Sequence, residues 1–216
     1  MVRTMTQKTI LATMRTSMRT SGLIAFLLAG SFAMAQTEFS ADMFDSQKGN
    51  TGKIYSSKDK VRFESVNKDP RTGGVVIMNL TTQTTTVLMN QQHMYMELSQ
   101  QMASQRAAYN FFRTGDAEAA CSDWTQLPQN KGGSCRKVGS EAVNGRSTVK
   151  YEGTNAKGEA GDVWLDPKLH FPVKWAGKNA SWELRNIQEG SQPESLFEIP
   201  AGYTKFDMGG MMQRPQ

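Results

Sequence analysis

The chain has two histidines and two cysteines among 216 residues, and that scarcity excludes more chemistry than any motif present supports. A structural zinc site takes four Cys or His ligands at close spacing, and neither His93 nor His170 lies near Cys121 and Cys135 in sequence. HExxH, GxSxG, CxxC, a phosphate loop and a strand-linked GxGxxG are all missing, and with them the common signatures of metal, serine, thiol-redox and nucleotide chemistry. Acid pairs such as Asp42/Asp45 and Glu194/Glu198 are coincidences expected of 20 acidic residues. The sequence therefore points away from an enzyme: no catalytic residue, no metal ligand set of the usual kind and no cofactor is expected.

Long apolar runs are missing too. The longest, residues 23–30, covers about 8 residues, whereas a membrane-spanning helix needs roughly 20. Arg15 and Arg19 precede it and Ala33-Met34-Ala35 follows it, the charged, apolar, small-residue order of a secretory signal with cleavage before Gln36. No cysteine stands at the new N-terminus to take a lipid, so residues 1–35 are expected to leave a periplasmic or secreted protein with no transmembrane segment and no lipid anchor. The excess of basic residues shrinks with the leader. Of 25 Lys and Arg against 20 acids, four (Arg3, Lys8, Arg15 and Arg19) lie in residues 1–35, leaving 21 against 20. Such a balance offers no basic footprint for nucleic acid.

About 181 residues remain, enough for one domain with a genuine core. It is assigned to residues 36–207, with a glycine- and methionine-rich tail at 208–216. In an oxidising compartment Cys121 and Cys135 are expected to form one disulfide, whose loop of about 15 residues stabilises by roughly 3 kcal/mol.

What is present is mostly period two. Phe39, Ala41 and Met43 alternate with Ser40 and Asp42, and Val61 and Phe63 with Arg62 and Glu64, the pattern of half-buried strands. Residues 49–52 and 56–60 carry turn chemistry, and residues 67–74 read as a mobile loop. Strands follow at 75–80, 85–89 and 94–98. In the last, the run Met89-Asn-Gln-Gln-His-Met-Tyr-Met-Glu-Leu98 poses a choice between a soft-metal site and an apolar wall. Alternation puts Met94, Met96 and Leu98 on one face and His93, Tyr95 and Glu97 on the other, which favours the wall. The alternative is Cu(I) held by Met94 and Met96 with Met208, Met211 or Met212.

Helical spacing appears once, over residues 100–113, where Met102, Ala103, Ala107, Phe111 and Phe112 share a stripe, Ser99 can cap the start and Gly115 the end. Residues 116–121 read as the start of a second short helix with its acids in the first turn. Beyond Cys135 strands resume, with turns at Asn144-Gly145, 158–161, 166–168 and 177–179. Trp164, Trp175 and Trp182 fall on three successive strands, a spacing at which they can stack across one face. Roughly nine strands with one helical insertion give a mainly β (α+β) fold, a single curved antiparallel sheet or unclosed barrel with helices plugging its concave side.

The stretch Gly161-Asp-Val-Trp-Leu-Asp-Pro167 continuing to Phe171-Pro-Val-Lys-Trp175 resembles the W-L-D-P…P-x-x-W hairpin of the periplasmic lipoprotein carriers LolA and LolB. Residues 52–64, the hairpin over 75–98 and the end Leu196-Phe-Glu-Ile-Pro-Ala-Gly-Tyr203 resemble an uncharacterised exported family described as LolA-like. The resemblance implies an unclosed β-barrel with a helical plug, which in those carriers houses acyl chains. Every matching segment is scaffold, so no functional residue is carried over, and the missing lipidation cysteine argues against a LolB-like anchored role.

The leading expectation is a non-enzymatic carrier of an acyl chain, lipid or lipoprotein, walled by Phe39, Met43, Phe63, Met78, Met94, Met96, Leu98, Phe111, Phe112, Trp164, Trp175 and Trp182. A cell-envelope interaction or structural module with a solid core is the rival, and cavity volume separates the two.

Overall fold

A computed structural model of the chain describes residues 37–66, 74–98, 120–126 and 130–206. All of them fall in one unit of the chain, Met34–Gln216. Six strands come first: β1 (Phe39–Asp45), β2 (Gly49–Ser56), β3 (Lys60–Ser65), β4 (Val75–Asn79), β5 (Thr84–Met89) and β6 (Met94–Leu98). A short helix α1 (Ala120–Gln126) precedes β7 (Ser134–Val143), β8 (Arg146–Thr154), β9 (Ala160–Asp166), β10 (Phe171–Gly177) and β11 (Ser181–Glu189). A 3-10 turn (Glu194–Phe197) and the two-residue β12 (Thr204–Lys205) end the described chain.

All twelve strands form one sheet in the order β12-β6-β5-β4-β3-β2-β1-β11-β10-β9-β8-β7. Two meanders, β1–β6 and β7–β11, are thus joined side by side where β1 pairs with β11. Every ladder is antiparallel except β12 with β6. β7 and β12 remain as separate edges, so the sheet is curved but unclosed, in accord with the fold expected from the sequence. An open sheet of this width has to curl, and bulges in the β1/β11, β1/β2, β10/β9 and β7/β8 ladders supply the bends.

The strand count exceeds the expected nine by three: β2 begins in residues read as a turn, β7 lacks apolar alternation and β12 is only two residues long. Residues 49–52 are not the expected turn. The β1–β2 turn lies at Ser46–Lys48, and Gly49 to Gly52 already belong to β2. Gly52 is glycine for another reason: a Cβ there would run into the Glu64 carbonyl of β3. The expected terminal strand around residues 196–203 is a 3-10 turn and loop, with β12 following it. α1 begins at Ala120; residues 116–119 and the helix expected over 100–113, which carries Phe111 and Phe112, lie outside the described residues, as do the leader, most of the loop at 67–74 and the tail.

The main core is shared by both meanders. Phe39, Ile54, Val61 and Met78 from the first meet Leu169, Phe171, Val173 and Leu184 from the second, all nearly or fully buried, and Phe39 and Phe171 pack edge to face with ring centroids 5.3 Å apart. Burial of side chains this size contributes about 1.5–3 kcal/mol each, which makes the β1–β11 junction the energetic centre of the sheet. A second cluster lies on the other face of the first meander, where Phe197 of the 3-10 turn packs on Val75, Ile77 and Leu88. Arg62 donates from Nη1 to the Leu196 carbonyl at 2.6 Å and fixes that turn. A third cluster, Tyr151, Val163 and Leu165, receives Ala120 of α1.

Candidate functional site

Cross-strand partners share a face, and the registers of the first meander place apolar side chains in rows. One row runs Ala41, Ile54, Phe63, Val76, Val87 and Met96 across β1 to β6. The row beside it runs Phe39, Ser56, Val61, Met78, Thr85 and Leu98. The second row is buried throughout. In the first, burial fades from β3 onward: Phe63, Val76, Val87 and Met96 are only half-buried, and so are Met43, Met89 and Met94 on the same face. Phe63, Val76 and Met43 lean on the main core, whereas Val87, Met89, Met94 and Met96 belong to none of the buried clusters among the described residues. The face therefore grades from a closed floor at the β1–β11 junction to an apolar margin at β5 and β6. That margin is the candidate site.

The predicted wall residues divide accordingly. Phe39, Met78 and Trp164 sit inside the main core; Met43, Phe63 and Trp182 pack at its border. Leu98 is buried at the end of β6, and Met94 and Met96 line the open margin. Trp175 joins the third cluster instead. The three tryptophans do not form one stack. Trp175 and Trp182 are direct cross-strand partners, but Trp164 pairs with Lys174 and Lys150, on the opposite face from its neighbour Val163, which pairs with Trp175. The register that aligns Val163 with Trp175 turns Trp164 away, and Lys174 and Lys150 stand over its ring with their ammonium groups 4.4 and 5.1 Å from the centroid. Sequence reading missed Val76, Val87 and Met89 as members of the margin. Val76 was hidden because residues 75–78 are apolar at every position, which gives no parity for choosing a face.

Cys121 and Cys135 are disulfide-bonded, with Cα atoms 5.3 Å apart, and tie α1 to β7. Beside them Ala120, Trp124, Tyr151 and Val163 bound a pocket of about 10 Å³, room for a single water. None of the predicted wall residues lines it.

A cluster of charges joins the ends of β8, β9 and β11. Arg146 reaches Asp166, which is buried, and donates from Nη2 to Glu189 at 2.9 Å, while Lys168 reaches the other Glu189 oxygen at 2.6 Å. Hydrogen bonds from Lys168 and then Arg146 hold the Glu189 carboxyl below the usual range. Asp166 also caps the following turn, its Oδ1 accepting from the backbone N–H groups of Lys168 and Leu169. These groups are engaged with one another and form a structural clamp. Among the described residues, no three His, Cys, Asp or Glu side chains gather as a metal site.

No family model matches the chain and no curated protein does. Among solved structures, an uncharacterized conserved protein from Thermus thermophilus aligns over 80% of this chain and 91% of its own length, with TM-score 0.52 and 11% identity. The likeness is one of fold. MucB aligns over 78% of this chain and 59% of its own at 17% identity, TM-score 0.48. A putative outer membrane lipoprotein-sorting protein domain from Vibrio parahaemolyticus aligns over 75% and 88% at 10% identity, TM-score 0.32. Likenesses this weak transfer no activity to the chain.

Proposed function

We propose that the chain is an exported, non-enzymatic carrier that holds an apolar ligand, an acyl chain, lipid or lipoprotein, against the open margin of its curved sheet. The observation that carries this reading is the half-buried strip of Phe63, Val76, Val87, Met89, Met94 and Met96, which runs from β3 to β6 on one face. Surface strips of this kind mark ligand or partner sites. Methionine suits a surface that must accept varied apolar shapes, because its unbranched thioether chain adapts without strain. Phe39, Met78 and Trp164 serve as the floor, with Met43, Trp182, Trp175 and Leu98 around it. In this reading the helix expected over residues 100–113, with Phe111 and Phe112, which lies outside the described residues, would serve as the lid. In this reading residues 1–35 are removed on export, 36–207 form the domain and 208–216 trail from it. The disulfide supports export, since such bonds persist in oxidising compartments.

A second reading has its own support. The pocket beside α1 has room for one water only, and the main core closes tightly around Phe39 and Phe171. A solid scaffold that uses the same margin to bind another envelope protein would look alike in these respects.

Native mass spectrometry of gently purified mature protein separates the two. The carrier reading expects a lipid-sized adduct, or saturable uptake of a fluorescent fatty acid that Val87→Lys abolishes. A bare polypeptide mass together with no uptake would leave only the scaffold.

A further inference from the structure

The hairpin of β5 and β6 brings together three thioethers. Met89 ends β5, a four-residue turn follows, and Met94 begins β6 as the direct cross-strand partner of Met89. Met96 lies two residues further along the same face, opposite Val87. Directly opposed residues have Cβ atoms about 4.5–5.5 Å apart and diagonal ones about 7–8 Å apart. A sulfur-to-metal bond of roughly 2.3 Å, the length zinc makes to thiolate, spaces three trigonal sulfurs roughly 4 Å apart. Three flexible methionine side chains rooted at these separations can close that distance by rotamer changes alone, with no movement of the backbone.

The surroundings decide the chemistry. The hairpin's harder donors are turned elsewhere. Tyr95 belongs to the cluster on the opposite face, and Glu97, on that same face, is held by Lys205. His93 is not part of β6. It closes the turn with φ 49°, its carbonyl accepts from the Thr204 N–H at 2.9 Å, and its ring packs edge-on against Tyr203, centroids 5.6 Å apart. On the methionine face the hairpin offers Thr85, Val87 and Leu98 besides the three sulfurs. A donor set of neutral thioethers without carboxylate or imidazole discriminates against Zn²⁺ and Mg²⁺ and favours soft monovalent ions.

Core packing is the bland explanation of such methionines, and it fits Met78, which is buried in the main core. It fits these three less well, because all are half-buried and none belongs to a buried cluster among the described residues. The geometry points to Met89, Met94 and Met96 as a thioether site for a soft monovalent cation, Cu(I) or Ag(I). This goes beyond the carrier reading and does not rest on it.

Replacement by leucine separates the two. Leucine keeps the apolar margin and its volume while removing the only soft donors on that face of the hairpin. The mature protein, disulfide intact, is titrated with Ag(I), and with Cu(I) in competition with a chromophoric Cu(I) chelator under anaerobic conditions. The expected result is one equivalent bound, with affinity reduced at least about tenfold in Met89→Leu/Met94→Leu/Met96→Leu, since even loss of a group that merely orients a metal ligand costs that much. Met78→Leu should bind as the wild type does, and so should a chain ending at Phe206, which lacks Met208, Met211 and Met212. Fatty-acid uptake is read separately on the wild type, and its absence would count against the carrier reading alone. The metal site is overturned by a wild type that binds neither ion, by a triple variant that binds both undiminished, or by loss of binding on removal of residues 207–216.

Discussion

At the scale of single residues, one loop design recurs around the sheet. Asp45, Asn79 and Asp166 each end a strand, and each accepts on Oδ1 from the backbone N–H groups two and three residues on: Gln47 and Lys48, Thr81 and Thr82, Lys168 and Leu169. The fourth residue on is then left-handed in every case: Gly49 at φ 75°, Gln83 at 55° and His170 at 51°. His93, at 49°, holds the same place after Met89, whose backbone carbonyl accepts from Gln92 instead. Only one of these four positions is glycine, although a side chain in the left-handed region costs about 1–2 kcal/mol. Gln83→Gly should therefore stabilise the protein. The gain is the relieved strain less the extra freedom of glycine in the unfolded chain, about 0.5–1 kcal/mol in all. Gly49→Gln, the mirror exchange, should destabilise by a similar amount; nothing lies within 4 Å of a Cβ at Gly49, so the effect is conformational and not a clash. Urea denaturation of both variants checks the pair, and opposite shifts of the midpoint at constant m are the expected outcome. Shifts of the same sign would mean that the loop, and not the left-handed residue, governs the result.

At the scale of elements, a row of glycines seats two indoles. Gly153, Gly161 and Gly177 are aligned partners across β8, β9 and β10, with Cys135 of β7 continuing the row. Trp175 lies over Gly161 and Gly177, and a Cβ at Gly177 would stand 2.8 Å from its Cη2; Trp124 of α1 lies over Gly153. This arrangement explains what the sequence conceals. Gly161 and Gly177 stand beside Gly158 and Lys178-Asn179, so in sequence they read as turn residues, while in the structure they are strand positions bared to admit a ring. The Asn144-Gly145 turn was legible because both residues need left-handed backbone, and both have it, at φ 48° and 79°. The alternation of β1 and β3 was legible because one face of each is core. The facing of Trp164 was not, since register is fixed between strands and a local bulge at Val173 intervenes. Nor was the join of β1 to β11, whose partners lie some 150 positions apart, as Phe39 and Glu189 do. Of the candidate site, the methionine face could be read from the parity of Met94 and Met96, but the approach of Met89 could not, because it depends on turn length. Gly177→Ala should cost about 1–3 kcal/mol, the range for overpacking a filled site. In the Trp175→Val background the same exchange should cost far less, because the ring it would strike is gone. A double-mutant cycle from denaturation curves measures that coupling; a value near zero would remove the indole from the explanation.

At the scale of the whole molecule, the two meanders are joined through the shared core, and polar fastenings brace each of them from within. Arg146 at the start of β8, Asp166 at the end of β9, Glu189 at the end of β11 and Lys168 in the turn between β9 and β10 are linked by ion pairs, of which Arg146–Glu189 spans from β8 to β11, strands that are not adjacent in the sheet. At the opposite end, Asp45 closes the β1–β2 turn, its carboxyl held low by the N–H of Gln47 and then that of Lys48. Glu189 is held low by Lys168 and then Arg146. A carboxyl whose value is depressed on folding adds stability that is complete above its unfolded value and is lost as pH falls through the lower, folded one. The unfolded references are 3.8 for Asp45 and 4.5 for Glu189, so the thermal midpoint should stay level on acidification from neutrality and decline only below about pH 4.5. Lys150 works in the other direction. Its hydrogen bond to Asp162 raises it above 10.5, so its contribution is complete below that value and fades as pH rises through the higher, folded one. Glu189 is exposed and Asp45 only half-buried, so solvent screening limits each to a modest share of the acid loss. Glu189→Gln should lower the midpoint at pH 7 slightly and make the decline below pH 4.5 shallower. Calorimetric scans of wild type and variant from pH 7 to pH 3 read this directly, and acid limbs that coincide would show that the clamp braces the second meander by shape and not by its charge.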